Sequence, residues 1–160
     1  MNQINSLDIK TFVANAIREV FDTMLSLEVE LNNADLQEPT EGRQIAGSVS
    51  FAGKVMGSLN IQLNDNFARI MTAAMLGMEL DEIESDEEVR DVIGELCNII
   101  GGDLKSRLCD AGFVCQLSIP CITSGNHFRI ESKDWARKER LEFRHQEHIA
   151  LVEIYMKLGE

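Results

Sequence analysis

Asp91, Glu95, Asn98, Gly102 and Lys105 follow one another at steps of four, three, four and three, with Gly94 and Gly101 beside them. On an α-helix, residues three and four apart share a face, so these positions form one strip along a rod. The strip carries a carboxylate at Glu95 and a carboxamide at Asn98. The amide both donates and accepts hydrogen bonds without adding charge, whereas the carboxylate is a negative acceptor. A glycine inside a helix costs about 1 kcal/mol relative to alanine. Three of them in one strip imply that something approaches this backbone closely. Either a visiting molecule does so, and the strip is a binding platform, or a neighbouring helix or sheet of the same chain packs there.

The element that must hold these residues runs from Ser85 to Gly112. Ser85 is placed to accept a hydrogen bond from a first-turn N–H while Glu88 reaches back to the N–H of Ser85. Asp86, Glu87 and Glu88 suit the positive end of the helix dipole. Gly112, free to turn left-handed, stops the helix. Val89, Val92, Ile93, Leu96, Ile99, Ile100 and Leu104 gather on the other side at about 100° per residue, which predicts a core-facing stripe.

The rest of the chain supplies a scaffold. Ile9, Phe12, Val13, Ala16, Ile17, Val20, Phe21, Met24 and Leu25 predict a first amphipathic helix, capped by Ser6 or Asp8, with Asn15, Arg18, Glu19 and Asp22 facing water. Leu27, Val29 and Leu31 alternate as a strand. Runs at 45–51 and 55–63 flank Ala52-Gly53-Lys54 as a β-hairpin. Asn64, Asp65 or Asn66 caps a shorter helix with Phe67, Ile70, Met71, Ala74 and Met75 inward, ending at Gly77. A strand is expected over 113–123, with an edge or bulge at Pro120 because proline donates no ladder hydrogen bond. Further strands are expected around Phe128 and Ile130, at Leu141 and Phe143, and over 149–158. Trp135 falls in a polar loop, and a solvent-facing turn is expected at His145 to His148. A long helix followed by about three strands thus occurs twice, with the short helix between. The fold class expected is α/β (α+β): an open, mostly antiparallel sheet of about six strands, two long helices on one face, and pseudo-twofold symmetry. One domain over 1–160 suits this length.

Composition bounds the partners. A formal net charge of −12 speaks against nucleic acid or an anionic membrane surface, which recruit Lys and Arg. It favours a partner with a basic rim or one carrying a divalent metal. No basic-plus-apolar leader and no apolar run of about 18 residues is present, so the cytosol is the expected location. Cys97, Cys109, Cys115 and Cys121 show no C-x-x-C pair and are read as reduced thiols, most of them buried. His127, His145 and His148 make no metal-ligand set.

Asp91-x-x-x-Glu95-x-x-Asn98, followed after 21 residues by Pro120, resembles the signature of the CheC/CheX/FliY phosphatases of bacterial chemotaxis. The stretches ELCNIIGGDLKSRL, GSVSFAGKVMGSLNIQL and ITSG resemble the family's Glu-x-x-Asn helix, its central hairpin and the segment after the proline. One such motif, absent from the first helix, resembles CheX rather than CheC. The resemblance implies dephosphorylation of a CheY-like response regulator whose aspartyl phosphate sits beside Mg²⁺; the protein then needs no cofactor of its own. Asn98 would position the attacking water, and Glu95 would pair with the regulator's active-site lysine. Asp91, Gly94, Gly101, Gly102 and Lys105 would line the partner-binding rim, with Lys105 a surface residue rather than a phosphate ligand. Pro120 would shape the neighbouring strand. A homodimer joined through sheet edges is also implied, with the C-terminal strand one candidate. Two other readings fit the same residues: a module that recognises or sequesters a phosphorylated receiver without catalysis, and an acidic dimer in which the glycine strip packs inside an oligomer.

Overall fold

The computed structural model describes residues 6–33, 42–126, 128 and 137–159. Along the chain lie α1 (Ile9–Val20), β1 (Glu30–Asn33), β2 (Arg43–Gly53), β3 (Val55–Asn64), α2 (Asp65–Leu76), α3 (Asp86–Asp110), β4 (Cys115–Leu117), β5 (Cys121–Asn126), β6 (Arg137–His145) and β7 (His148–Leu158). The strands make one seven-stranded sheet in the order β1-β6-β7-β3-β2-β4, with β5 also paired to β2. Every pairing is antiparallel.

Reading that order backwards exchanges the halves of the chain: β3 and β7 meet at the centre, β2 pairs with β5, and β6 pairs with β1. The pseudo-twofold expected from the helix–strand repeat is present, and the two halves are interlaced. Expectation and structure differ at several places in the sheet. The strand expected over 113–123 is interrupted at Ser118–Pro120 and becomes β4 and β5, because Pro120 offers no N–H to continue the ladder. The C-terminal strand, a candidate sheet edge, lies in the middle of the sheet, bonded to β3 on one side and β6 on the other. His145 is buried rather than solvent-facing; its Nδ1 lies 2.7 Å from the Glu28 carbonyl and its ring stacks on Phe67. The strand expected around Ile130, and Trp135, lie outside the described residues.

Local chemistry accounts for the helices. Asp8 caps α1 by accepting from the Thr11 N–H at 3.2 Å, and Asn64 caps α2 from Phe67 at 2.8 Å. Gly77, at φ +67°, ends α2 in the left-handed conformation. α1 runs on into a π-helical turn, Phe21–Leu25. On α3 the Ser85 hydroxyl accepts from the Glu88 N–H at 3.4 Å, as expected, but the Glu88 carboxylate caps Glu84 N–H at 3.3 Å instead of Ser85. At the other end Phe113 N–H returns to the Leu108 carbonyl at 2.9 Å across Gly112, whose φ is +94°.

The helices cover one face of the sheet. Ile45, Val49, Phe51, Leu59, Ile61, Leu63, Phe143, Val152, Ile154 and Met156 meet Ile9, Val13, Ile17, Phe67, Ile93, Leu96 and Ile100 in one apolar core. α3 lies so close on β2 that two glycines are demanded by the chain itself. A Cβ on Gly47 would collide with the Cys97 sulfur, and one on Gly101 would stand 2.6 Å from Val49 Cγ2. Gly102, the next residue, has nothing within 4 Å. Gly101→Ala is therefore expected to lower stability by about 1 kcal/mol, because overpacking a stiff β-branched side chain outweighs the gain in helix propensity. Gly102→Ala meets no such clash and should raise stability by about 0.5–1 kcal/mol. Urea denaturation of both variants checks the pair; equal shifts would mean that α3 does not sit this tightly on β2.

Candidate functional site

The continuous helix α3 carries Asp91, Glu95, Asn98, Gly102 and Lys105 on the side away from the sheet. Glu95 and Asp91 are exposed, and Asn98, Gly102 and Lys105 are half-buried. Among the described residues, no hydrogen bond or ion pair engages Glu95 or Asn98. Side chains at i and i+3 are near neighbours on a helix, with Cβ atoms about 5–6 Å apart. A carboxylate and a carboxamide thus stand side by side on a rigid rod with their polar groups uncommitted.

What holds the rod is visible along its inner edge. Arg90 donates to the Ile122 carbonyl at 2.9 Å and to Ser124 Oγ at 3.0 Å, tying the first turns of α3 to β5. Asp86 receives Arg69 at 2.8 Å and Arg43 at 3.1 Å, linking the helix start to α2 and β2. These contacts were not legible in the sequence, since nothing in the local pattern pairs the three arginines with partners so distant along the chain. The corner between β4 and β5 is fixed in turn by Ser118, whose N–H donates to the Ser50 carbonyl at 2.7 Å while its hydroxyl accepts from Ser50 N–H at 2.9 Å.

Two members of the expected partner rim are reassigned. Gly94 is buried, with Pro120 Cγ 3.5 Å from where its Cβ would be, and Gly101 is buried under Val49 and Leu117. Their small size lets the chain's own strands approach, which is the intramolecular alternative for those two positions. Gly102 has no such neighbour and alone keeps bare backbone toward the outside. Pro120 lies in the corner beside α3, in contact with Gly94, and so lines the helix that bears Asn98. On the other flank, a cleft of about 300 Å³ between α1 and α3 is lined by Val20, Met24, Ile99, Gly102, Glu19 and Asp103.

The site contains no prepared nucleophile. Cys97, next to Asn98 in sequence, faces the sheet, and burial pushes its thiol up to about 12. A thiol with that value is protonated at neutral pH and inert. Cys115 is likewise buried, its thiol raised to about 11 by burial and by the neighbouring Cys109, whereas Cys121 is exposed. Among the described residues, no group of three or more His, Cys, Asp or Glu is arranged to hold a metal ion, and no helix is long and apolar enough to cross a membrane.

α1 provides an internal comparison. Ile9, Val13, Ala16, Ile17, Val20 and Phe21 correspond, each 80 positions later, to Val89, Ile93, Leu96, Cys97, Ile100 and Gly101, and all twelve are buried. In that register Asn15 stands for Glu95 and Arg18 for Asn98, and Arg18 donates to the Asn15 carbonyl oxygen at 3.3 Å. The pseudo-twofold partner of the site therefore has neither the carboxylate nor the free carboxamide.

The chain was compared with known proteins. The family described as "Chemotaxis phosphatase CheX" matches residues 45–144. A curated relative, "CheY-P phosphatase CheX" of Thermotoga maritima, is 31% identical over 85 residues, 52% of this chain; the match spans about half, 54%, of that relative's length. Among solved structures, chemotaxis protein CheX from Vibrio vulnificus is 26% identical with a TM-score of 0.78, covering 94% of this chain and 97% of the other. A CheX-CheY-BeF3-Mg+2 complex from Borrelia burgdorferi, 24% identical, has the same fold, with a TM-score of 0.79 and coverage of 94% and 98%. The match to the family extends over more than half of the sequence and takes in the hairpin, α3, Glu95, Asn98 and Pro120: the chain belongs to the CheX family.

Proposed function

We propose that this protein dephosphorylates the aspartyl phosphate of a CheY-like receiver domain, using Asn98 to place the attacking water and Glu95 to anchor the receiver. The observation that carries this reading is the pair of uncommitted side chains, one carboxylate and one carboxamide, on the outer face of a helix locked to the sheet. The name of the Thermotoga maritima relative and the CheY-bound form of the Borrelia burgdorferi protein point the same way.

The chemistry suits such a pair. An acyl phosphate hydrolyses unaided, so a helper gains most by holding one water in line with phosphorus and completing the electrostatics around the phosphoryl group. The Asn98 carbonyl oxygen accepts from that water while its amide donates to a phosphoryl oxygen, and no negative charge is brought near the phosphate. Glu95 would be repelled by the phosphoryl group and is better used one turn away, against a cation such as the receiver's active-site lysine. Asp91 extends the acidic rim, Lys105 marks the opposite end of the strip, and Gly102 leaves room for the visitor's backbone. The divalent cation belongs to the receiver: Mg²⁺ arrives with the partner, and this chain brings no cofactor. We further place the protein in the cytosol as one domain, acting as a homodimer joined at a sheet edge; β1 is the outer strand of the described sheet at the end away from β4 and β5.

With a phosphorylated CheY-like receiver and Mg²⁺, the protein is expected to shorten phosphate lifetime, and Asn98→Ala should cut that acceleration about a hundredfold with circular dichroism unchanged. An Asn98 variant as active as the parent would remove the water-positioning role. Phosphorylation-dependent binding with no change in phosphate lifetime would identify the non-catalytic binding module instead. Glu95→Ala is expected to act mainly through KM, by about tenfold or more, and to flatten its dependence on ionic strength. A pure kcat effect would place Glu95 in the chemistry rather than in docking.

A further inference from the structure

We propose that Ile119 is the apolar anchor on which the phosphorylated receiver seats beside Asn98. The inference deepens the function proposed above and rests on Asn98 being the residue that meets the phosphoryl group.

Ile119 is 87% exposed, the most exposed large hydrophobic residue among those described, the next being Val114 at 59%. It sits between β4 and β5, and its neighbours fix where that corner lies. Leu117 stands over Gly101 and Pro120 over Gly94, so residues 118 and 119 bridge the turns of α3 between them, the turns that carry Asn98. Those two glycines are about 10 Å apart along a helix axis. A specific interface buries about 800 Å² on each partner, a patch of about 16 Å radius. A receiver that brings its phosphoaspartate to Asn98 therefore covers Ile119 as well.

The corner is built to present this side chain. Ser118 is bonded to both the N–H and the carbonyl of Ser50 and donates its own hydroxyl to the Ile119 carbonyl at 3.0 Å. Pro120 fixes the following backbone dihedral, and isoleucine has few rotamers to lose. Little ordering is left to be done when a partner arrives. Charge points to the same occupant: in a chain of net charge −12, positions 111–126 contain no Asp, Glu, Lys or Arg. The β4–β5 segment beside Asn98 thus carries no charge of its own, its cationic neighbours being Arg90 and Lys105 of α3, whereas the cleft on the other flank of the helix is lined by Glu19 and Asp103. The surface that fits is a receiver with an apolar patch next to its phosphorylated aspartate and cationic groups beyond it.

The test uses the full chain with a CheY-type receiver, phosphorylated for kinetics and loaded with beryllofluoride and Mg²⁺ for calorimetric binding. Ile119→Ser is expected to weaken binding and raise KM about tenfold or more, with kcat within twofold of the parent and an unchanged unfolding midpoint. Ile119→Leu should restore most of the affinity, and Val114→Ser should leave both constants alone. Parent-like binding by Ile119→Ser, or a loss confined to kcat, overturns the anchor while leaving the role of Asn98 intact. If the parent protein neither binds nor dephosphorylates the receiver, the functional reading fails first and the anchor fails with it.

Discussion

The closeness of α3 to β2 is the constraint on which the rest of the molecule depends. The Cys97 sulfur occupies the space that a side chain on Gly47 would fill, and Val49 occupies that of a side chain on Gly101. With its inner face seated this way, the helix has no freedom to roll, and Asn98 and Glu95 are left pointing outward. Arg90, bonded to β5, and Asp86, between two arginines, hold the N-terminal half in the same pose. The exposed ion pairs contribute little to stability individually; their use is to fix orientation. Position, rather than a reactive group, is what this scaffold provides.

That division explains why the site looks so plain. The nearest thiol is turned into the core and its proton is held firmly by burial, and no metal-binding cluster is present among the described residues. A carboxamide is a weak acid and a weak base, so its value lies in geometry: it holds a water and tolerates a neighbouring anion. Such a group can act only if the reactive bond, the cation and the leaving group are brought by another molecule. The uncommitted state of Glu95 and Asn98 in the free chain is consistent with a site completed by its partner.

Much of this was legible in the residues, for physical reasons that can be named. Ser85, Asn64, Gly77 and Gly112 mark helix ends because orphan backbone groups need specific partners, and the 52–54 turn is punctuated by glycine. The single Glu-x-x-Asn strip follows from helical period alone. What could not be read depends on neighbours distant in sequence. Nothing in 148–158 distinguishes a central strand from an edge, because both faces alternate alike until β3 and β6 are known to flank it. His145 looks like a turn residue until the Glu28 carbonyl and the Phe67 ring are found beside it. Gly94 and Gly101 read as an opening for a visitor because the strip pattern does not reveal that β4 and β5 run along that side of the helix. Ser118 and Ile119 carried no signal at all, since their importance comes from where the broken strand lies.

The interlacing of the halves governs how the molecule is made. The central ladder joins Val55 to Leu158 and Leu63 to Ala150, and each half lends its first strand to the other's second, as Leu31 meets Phe143 and Ser48 meets Cys121. Neither half holds a closed sheet by itself, so a ribosome-bound chain that has emerged only through α3 still lacks the partner of its middle strand. Pairings over such sequence separations close slowly, because loop entropy is lost before the contacts form. Until β7 arrives, the unpaired backbone edge of β3 stays open to other chains, so the incomplete sheet is the form of this protein most exposed to mispairing.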